Sequence, residues 1–281
     1  MKTIRIIPRI DVKGPSLVKG IHFEGLRVLG NPNEFAKFYY ENGADEILYV
    51  DVVASLFERN SLSDLISSTA QEVFIPVTVG GGVRTLDDIN NILRSGADKI
   101  SLNTAAINNP GFIKEASLKY GASTIVVSIE AIKESDGKYY AYTDNGREWT
   151  GVDVLEWAKE VEILGAGEII ISSIDKEGTG EGFDIELTRN VSESVSIPVI
   201  AHGGAGSPAD ILNVIVNGKA DAVSVASILH YGNTHNSDNL NKIDDGNTEF
   251  LKNKNVFGKI TPYDLREIKE FLIKNNIKCR I

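Results

Sequence analysis

Two glycine runs stand out as places where an anion can be held. Gly80-Gly81-Gly82 and Gly203-Gly204 each follow a short β-branched segment and lead into a helix-like one. With no side chains in the way, successive backbone N–H groups there can converge on a phosphate at the positive end of a helix. Each run also has a companion, a small amide or hydroxyl at the end of the next apolar segment: Asn103-Thr104 for the first, Ala226-Ser227 for the second. A lone glycine pair would read as a tight turn. Two matching copies with matching companions favour two phosphate cups, and so a ligand with a phosphate at each end. Between the cups, Asp11 and Glu130 fall just past apolar segments. Carboxylates so placed can act as general acid and base on opposite faces of a substrate, or can cap a following turn. Lys19, in the glycine-punctuated stretch Lys13–Gly25, can reach over such a site. Asp51 and Asp175 read as supporting groups, and His202 as a satisfied structural imidazole.

The elements that must position these groups are readable from pattern. Short apolar runs recur at Ile4–Ile10, Ile47–Asp51, Ile75–Val79, Ile100–Asn103, Thr124–Ile129, Ile169–Ser173, Ile197–Ala201 and Ala222–Ala226. Amphipathic stretches lie between them, at Asn33–Asn42, Thr85–Ser95, Val152–Leu164 and Ser207–Asn217, with a last one at Tyr263–Asn275. Gly43, Gly96, Gly165 and Gly218 follow four of these, where a left-handed residue ends a helix. Strands alternating with helices imply parallel strands joined by right-handed crossovers. The segment Gly43-Ala44-Asp45-Glu46-Ile47 matches Gly165-Ala166-Gly167-Glu168-Ile169, and Gly81 matches Gly203, both at an offset of 122 residues. Two half-barrels of four β/α units explain that repeat, so the fold predicted is a single α/β domain over residues 1–281, a (β/α)8 TIM barrel. A doubly wound sheet gives no reason for it. Both cups then open on the C-terminal face. At the other face, Arg5, Glu46, Lys99 and Glu168 fall near strand starts, and from position alone read as a charge-neutral seal of the barrel bottom. Tyr231–Phe257 is polar, rich in asparagine and without period, and is predicted to be an insertion on the catalytic face.

Composition excludes several partners. A net charge of −10 disfavours nucleic acid and anionic lipid over most of the surface. No apolar run reaches the roughly 18 residues needed to span a bilayer. The single cysteine, Cys279, supplies neither a disulfide nor a thiolate metal site, and no metal or organic cofactor is expected. The first residues run straight into a β-like segment with no signal-peptide pattern, so a cytoplasmic location is expected.

Taken together, these residues resemble the cyclase subunit of imidazole glycerol phosphate synthase, a histidine-biosynthesis family. The similarity extends from Arg5 to about Leu229 and resumes at Pro262. Its most specific stretches are Ile10-Asp11-Val12-Lys13, Val18-Lys19-Gly20, Thr78 to Gly82, Gly96-Ala97-Asp98-Lys99, Asn103 to Ala106, Ser173-Ile174-Asp175, Gly178-Thr179 and Gly203 to Gly206. The sister isomerase shares the repeat and the cups, but Val18-Lys19-Gly20 and Glu24–Pro32 are of the cyclase type. The resemblance implies joining ammonia to a phosphoribulosyl formimino carboxamide ribonucleotide, which gives imidazole glycerol phosphate and an aminoimidazole carboxamide ribonucleotide. It implies that Asp11 is a catalytic acid/base and that Lys19 lies on a mobile loop over the substrate. The phosphates would be held by Gly81, Gly82, Asn103 and Thr104, and by Glu177, Gly178, Gly203, Gly204, Ala226 and Ser227. A glutaminase subunit would dock on the N-terminal barrel face and deliver ammonia through a gate of Arg5, Glu46, Lys99 and Glu168, which replaces the reading of that ring as a seal. Three residues depart from the family pattern: Glu130 and Glu177 stand for aspartates, and His202 for a small residue. An extra methylene moves a carboxylate by roughly 1 Å, enough to cost on the order of 10²-fold where geometry is tight. Two further readings therefore stand beside the cyclase: a paralogue that delivers ammonia for amidation of a surface-polysaccharide sugar, and a non-catalytic barrel that binds a glutaminase.

Overall fold

The strands follow from β-branched runs such as Glu-Ile-Ile-Ile-Ser-Ser at 168–173, whose last five residues are all buried. In the computed structural model, which describes residues 2–54, 62–236 and 259–281, the strands are β1 (Arg5–Lys13), β2 (Ser16–Ile21), β3 (Glu24–Gly30), β4 (Ile47–Asp51), β5 (Val77–Gly80), β6 (Lys99–Leu102), β7 (Ile125–Lys133), β8 (Tyr139–Thr143), β9 (Glu148–Asp153), β10 (Glu168–Ser173), β11 (Val199–His202) and β12 (Ala222–Val225). Eight of them pair in parallel in the order β1-β4-β5-β6-β7-β10-β11-β12, and β12 returns to β1 with Arg5 opposite Ala222. That closed ring is the (β/α)8 barrel expected from the sequence.

The five sequence-read helices form close to their expected limits, at Pro32–Glu41, Leu86–Arg94, Val154–Ile163, Pro208–Val216 and Leu265–Lys274. Thr85 and Asp264 each complete a capping box, and Asn31, Asp153 and Ser207 cap the other three. Further helices occupy Ser63–Thr69, Thr104–Asn108, Gly111–Tyr120, Ile185–Ser194 and Ser227–Asn236.

Two antiparallel additions rise from the rim. β1 turns back into β2 and β3, pairing Val12 with Leu17, and β7 turns back into β8 and β9, pairing Ala131 with Ala141. They occupy equivalent places in the two halves. The stretch Lys13–Gly25, expected to be a loop, is thus mostly a strand pair. Its turn is tight, with His22 and Phe23 both left-handed at φ of 52° and 61°.

Side chains alternate along β1, so Arg5, Ile7, Arg9 and Asp11 stack at successive levels of the lumen. Ile7 joins Leu48, Val126, Ile170, Ile200 and Ala222 in a cluster of its own, separate from the larger core between barrel and helices. An apolar layer thus separates the charged bottom from a polar top.

The insertion expected over Tyr231–Phe257 needs correction at its start. Residues 231–236 continue the helix that begins at Ser227, and Tyr231 is buried in the core. The aromatic side chain favours packing, a signal outweighed in the sequence by the polar residues that follow. Residues 237–257 lie outside the described residues.

Candidate functional site

At the bottom of the barrel, the four charged residues meet. Arg5 reaches Glu46 at 2.7 Å and Glu168 at 2.8 Å, and Lys99 reaches the same two carboxylates at 3.1 and 3.0 Å. Burial works against the Arg5 charge, but Glu168 and Glu46 together outweigh it and raise its pKa. Every cation touches both anions, and the ring closes the lumen beneath the apolar layer.

At the top, the cups are built by backbone constraint. Gly81 has φ of 94°, and a Cβ there would come within 2.3 Å of the Asp51 carbonyl oxygen. Gly203 also has φ of 94°, and its Cβ would meet the Ser173 carbonyl oxygen at 2.7 Å. Only glycine fits at either position, and the obstructing residues, like the glycines, are 122 apart. The helix after each cup begins only at Leu86 and Pro208, and in each one first-turn N–H, that of Asp88 or Asp210, is taken by the Thr85 or Ser207 cap. The cups therefore rely on their own N–H groups and on the next strand end rather than on the following helix.

Around the first cup lies a cavity of about 320 Å³, lined by Gly81, Gly82, Asn103, Thr104, Glu130 and Arg9 among others. Asn103 donates through Nδ2 to the Tyr142 carbonyl, 3.4 Å away, while its Oδ1 is buried with no partner among the described residues. Around the second cup only about 20 Å³ is open, and its lining is Lys19, Glu177, Gly178, His202, Gly203, Gly204, Ala226, Ser227 and their neighbours. Lys19 fills this space. It is not solvated above the mouth but buried on β2 and ion-paired with Glu177. Glu177 also accepts the Phe23 N–H at 3.0 Å, and its carbonyl accepts the His22 N–H at 3.0 Å. The longer acid therefore ties the β2–β3 turn down onto the second cup.

The two carboxylates expected between the cups differ sharply in environment. Glu130 lines the large cavity, and one of its oxygens is buried without a partner among the described residues. Burial pushes it up to about 7, against a smaller downward pull from Arg9 and the Gly146 N–H. Asp11 is also buried, but Arg9 and then Lys19 outweigh the burial and hold it below the usual carboxylate range. Two acids pushed apart in this way suit opposite roles, one a proton donor and one a fixed anion. Asp11 lines neither cavity, because Arg9 lies across it, with Nε donating to Asp11 Oδ1 at 2.7 Å.

His202 is only half satisfied. Its Nδ1 donates to the Ser224 carbonyl at 3.0 Å, leaving Nε2 buried without a partner beside the second cup. Burial, with the Arg9 charge, drives its pKa down to about 3, so the ring is neutral and Nε2 is an acceptor. Asp51 accepts the Val53 N–H at 3.0 Å and Asp175 the Lys133 N–H at 3.3 Å, in keeping with supporting roles.

Sequence reasoning missed Arg9. It is 1% exposed, lines the large cavity, stands 5.0 Å from the centre of the Phe23 ring, and has an Nη2 without a partner among the described residues. The signal was its place on β1, two residues from Asp11 and four from Arg5, on the inward side of a strand. Asn145, at the β8–β9 turn, was also missed. It lines the cavity and donates to the Phe23 carbonyl at 3.3 Å, so the two rim additions touch over the mouth.

Comparison with known proteins agrees with this architecture. Residues 5–235 match the model of a family described as histidine biosynthesis protein. The chain belongs to that family. Among its relatives is the imidazole glycerol phosphate synthase subunit HisF of Legionella pneumophila, 55% identical over 206 residues, which is 73% of this chain and 97% of the relative. The subunit of the same name from Methanococcus vannielii is 44% identical over 301 aligned positions covering the whole of both chains. That of Lactococcus lactis subsp. cremoris is 46% identical over 255, covering 90% of this chain and 96% of the relative. The family is thus the one indicated by the glycine cups and the Lys19 region.

Proposed function

We propose that this chain is the cyclase subunit of an imidazole glycerol phosphate synthase, using ammonia from a glutaminase partner to convert the phosphoribulosyl formimino carboxamide ribonucleotide to imidazole glycerol phosphate and an aminoimidazole carboxamide ribonucleotide. The observation that supports it most is the pair of equivalent glycine cups, the first opening on a cavity that holds the buried carboxyl of Glu130, in a chain similar over its whole length to a subunit of that name. A substrate with a phosphate at each end suits two cups. Gly81, Gly82, Asn103 and Thr104 would take one phosphate. Gly178, Gly203, Gly204, Ala226 and Ser227 would take the other once Lys19 leaves the space it fills. Glu177 then acts by holding the β2–β3 turn and releasing Lys19.

Glu130, raised by burial to about 7 and so able to carry a proton near neutral pH, suits donation of that proton to a developing oxyanion, while Asp11 stays ionised and positions Arg9. The relatives are named as subunits, which supports a partner chain. We place the glutaminase at the N-terminal face, where the ring of Arg5, Glu46, Lys99 and Glu168 would admit ammonia into the apolar lumen. Glu130 and Glu177, in place of the family's aspartates, keep the sugar-amidation reading as the second choice. Complementation of a histidine auxotroph lacking its cyclase separates the two. Growth on minimal medium is expected, and failure by a well-expressed chain that still binds phosphate would favour amidation.

A further inference from the structure

We propose that Arg9 is a catalytic residue of this site, its free Nη2 donating to the oxygen of the substrate's ketose carbonyl as ammonia adds to the carbonyl carbon. The inference rests on the functional reading above.

Three observations converge on it. Arg9 is a full positive charge buried in the barrel, and its single described ion pair, Nε to Asp11 at 2.7 Å, uses one edge of a five-donor fork. Nη2 has no partner among the described residues, a costly state unless something in the cavity accepts from it. Second, Arg9 lies between the cups. It lines the cavity of the first, and its charge is felt both at Glu130 and at His202, which lines the second. A bisphosphate anchored at both ends therefore presents its middle, not a phosphate, to the guanidinium. Third, Arg9 stands one inward position above Ile7 and its apolar lumen layer. A neutral ammonia rising through that layer emerges beside the guanidinium, and the same positive charge disfavours ammonium. The Phe23 ring 5.0 Å away covers the guanidinium and limits water.

The step balances without another reagent. The ammonia lone pair forms the C–N bond while the carbonyl π pair moves onto oxygen, where Nη2 stabilises the developing charge. Neutral Glu130 protonates that oxygen, and the new ammonium nitrogen returns a proton to Glu130, leaving a carbinolamine with both groups restored. Arg9 stays protonated throughout. The titratable groups around it are Asp11, Glu130, Glu177 and Lys19, with neutral His202 beyond.

The test compares full-length wild type, Arg9→Lys and Arg9→Ala, with saturating ammonium chloride as nitrogen source and the purified ribulosyl substrate. Loss of a preorganised oxyanion donor costs about 10²–10³-fold in kcat. Arg9→Ala should lose that much with KM changed less than threefold, and should recover at least tenfold on adding tens of millimolar guanidinium. Lysine keeps the charge that balances Asp11 but not the fork. Arg9→Lys, the variant of intact fold if Arg9→Ala does not fold, should therefore lose at least tenfold in kcat. A raised KM with unchanged kcat in Arg9→Lys would make Arg9 a phosphate clamp and overturn the proposal, as would wild-type kcat. Wild type inactive with ammonia would overturn the functional reading itself, and this inference with it.

Discussion

Replacing Glu130 with glutamine tests the balance of burial against charge at the centre of the site. Burial raises this carboxyl from an ordinary 4.5 to about 7 despite the nearby Arg9. The folded chain then holds a proton that the unfolded chain releases, so stability falls as pH rises from about 4.5 to about 7. At about 1.36 kcal/mol per pH unit, that interval amounts to about 3 kcal/mol. Glutamine is never ionised and escapes this cost. The variant should match wild type at pH 4, exceed it by about 1 kcal/mol at pH 5, and exceed it by about 3 kcal/mol at pH 8. At about 2 °C per kcal/mol for a chain of this size, the gap in Tm grows from about 2 °C at pH 5 to about 6 °C at pH 8. Turnover should meanwhile fall by about 10²–10⁴ as the proton donor is lost. Calorimetric melts of both proteins across a pH series at fixed ionic strength measure the gap directly. A gap that does not change with pH, or one that reverses in favour of wild type above pH 7, would mean that Arg9 holds Glu130 ionised and that the proton donor lies elsewhere.

Other perturbations have distinct signatures. Asp11→Asn keeps an acceptor for Arg9 but removes its counter-charge, so a loss of about 3 kcal/mol in denaturant unfolding should accompany a drop in turnover; unchanged stability would mean the pair is open in solution. Lys99→Ala should impair glutamine-dependent turnover in the presence of the partner more than turnover with added ammonium salt, and equal losses would mark the ring as a structural seal. Gly81→Ala and Gly203→Ala each force a Cβ against a backbone carbonyl and should each weaken phosphate binding at least tenfold in titration calorimetry. Normal binding by either variant would remove that cup from the account.

The barrel was legible because its signals are local and repeated. β-branched runs, helix caps and glycine C-caps recur at regular spacing, and the offset that relates Gly81 to Gly203 also relates the Asp51 and Ser173 carbonyls that crowd them. The rim additions were not legible. β2 and β3 carry Gly20, Gly25 and Gly30 and alternate poorly, so their pairing depends on tertiary contacts such as Phe23 with Glu177 rather than on pattern. The resting place of Lys19 was hidden for the same reason, since a lysine in a glycine-rich segment gives no sign that a carboxylate 158 residues away will bury it. Arg9 escaped notice because an arginine beside a proline in a strand reads as an edge residue until the barrel closes around it. The role of Tyr231 was hidden by the polar residues that follow, which dominate the composition of that stretch.

The most direct test of the whole account is turnover by the purified chain alone, with the phosphoribulosyl formimino carboxamide ribonucleotide and an ammonium salt as the two reactants. The account requires imidazole glycerol phosphate and the aminoimidazole carboxamide ribonucleotide to appear in equal amounts, and Glu130→Gln to suppress both together. Saturable binding of the substrate with neither product formed would contradict it.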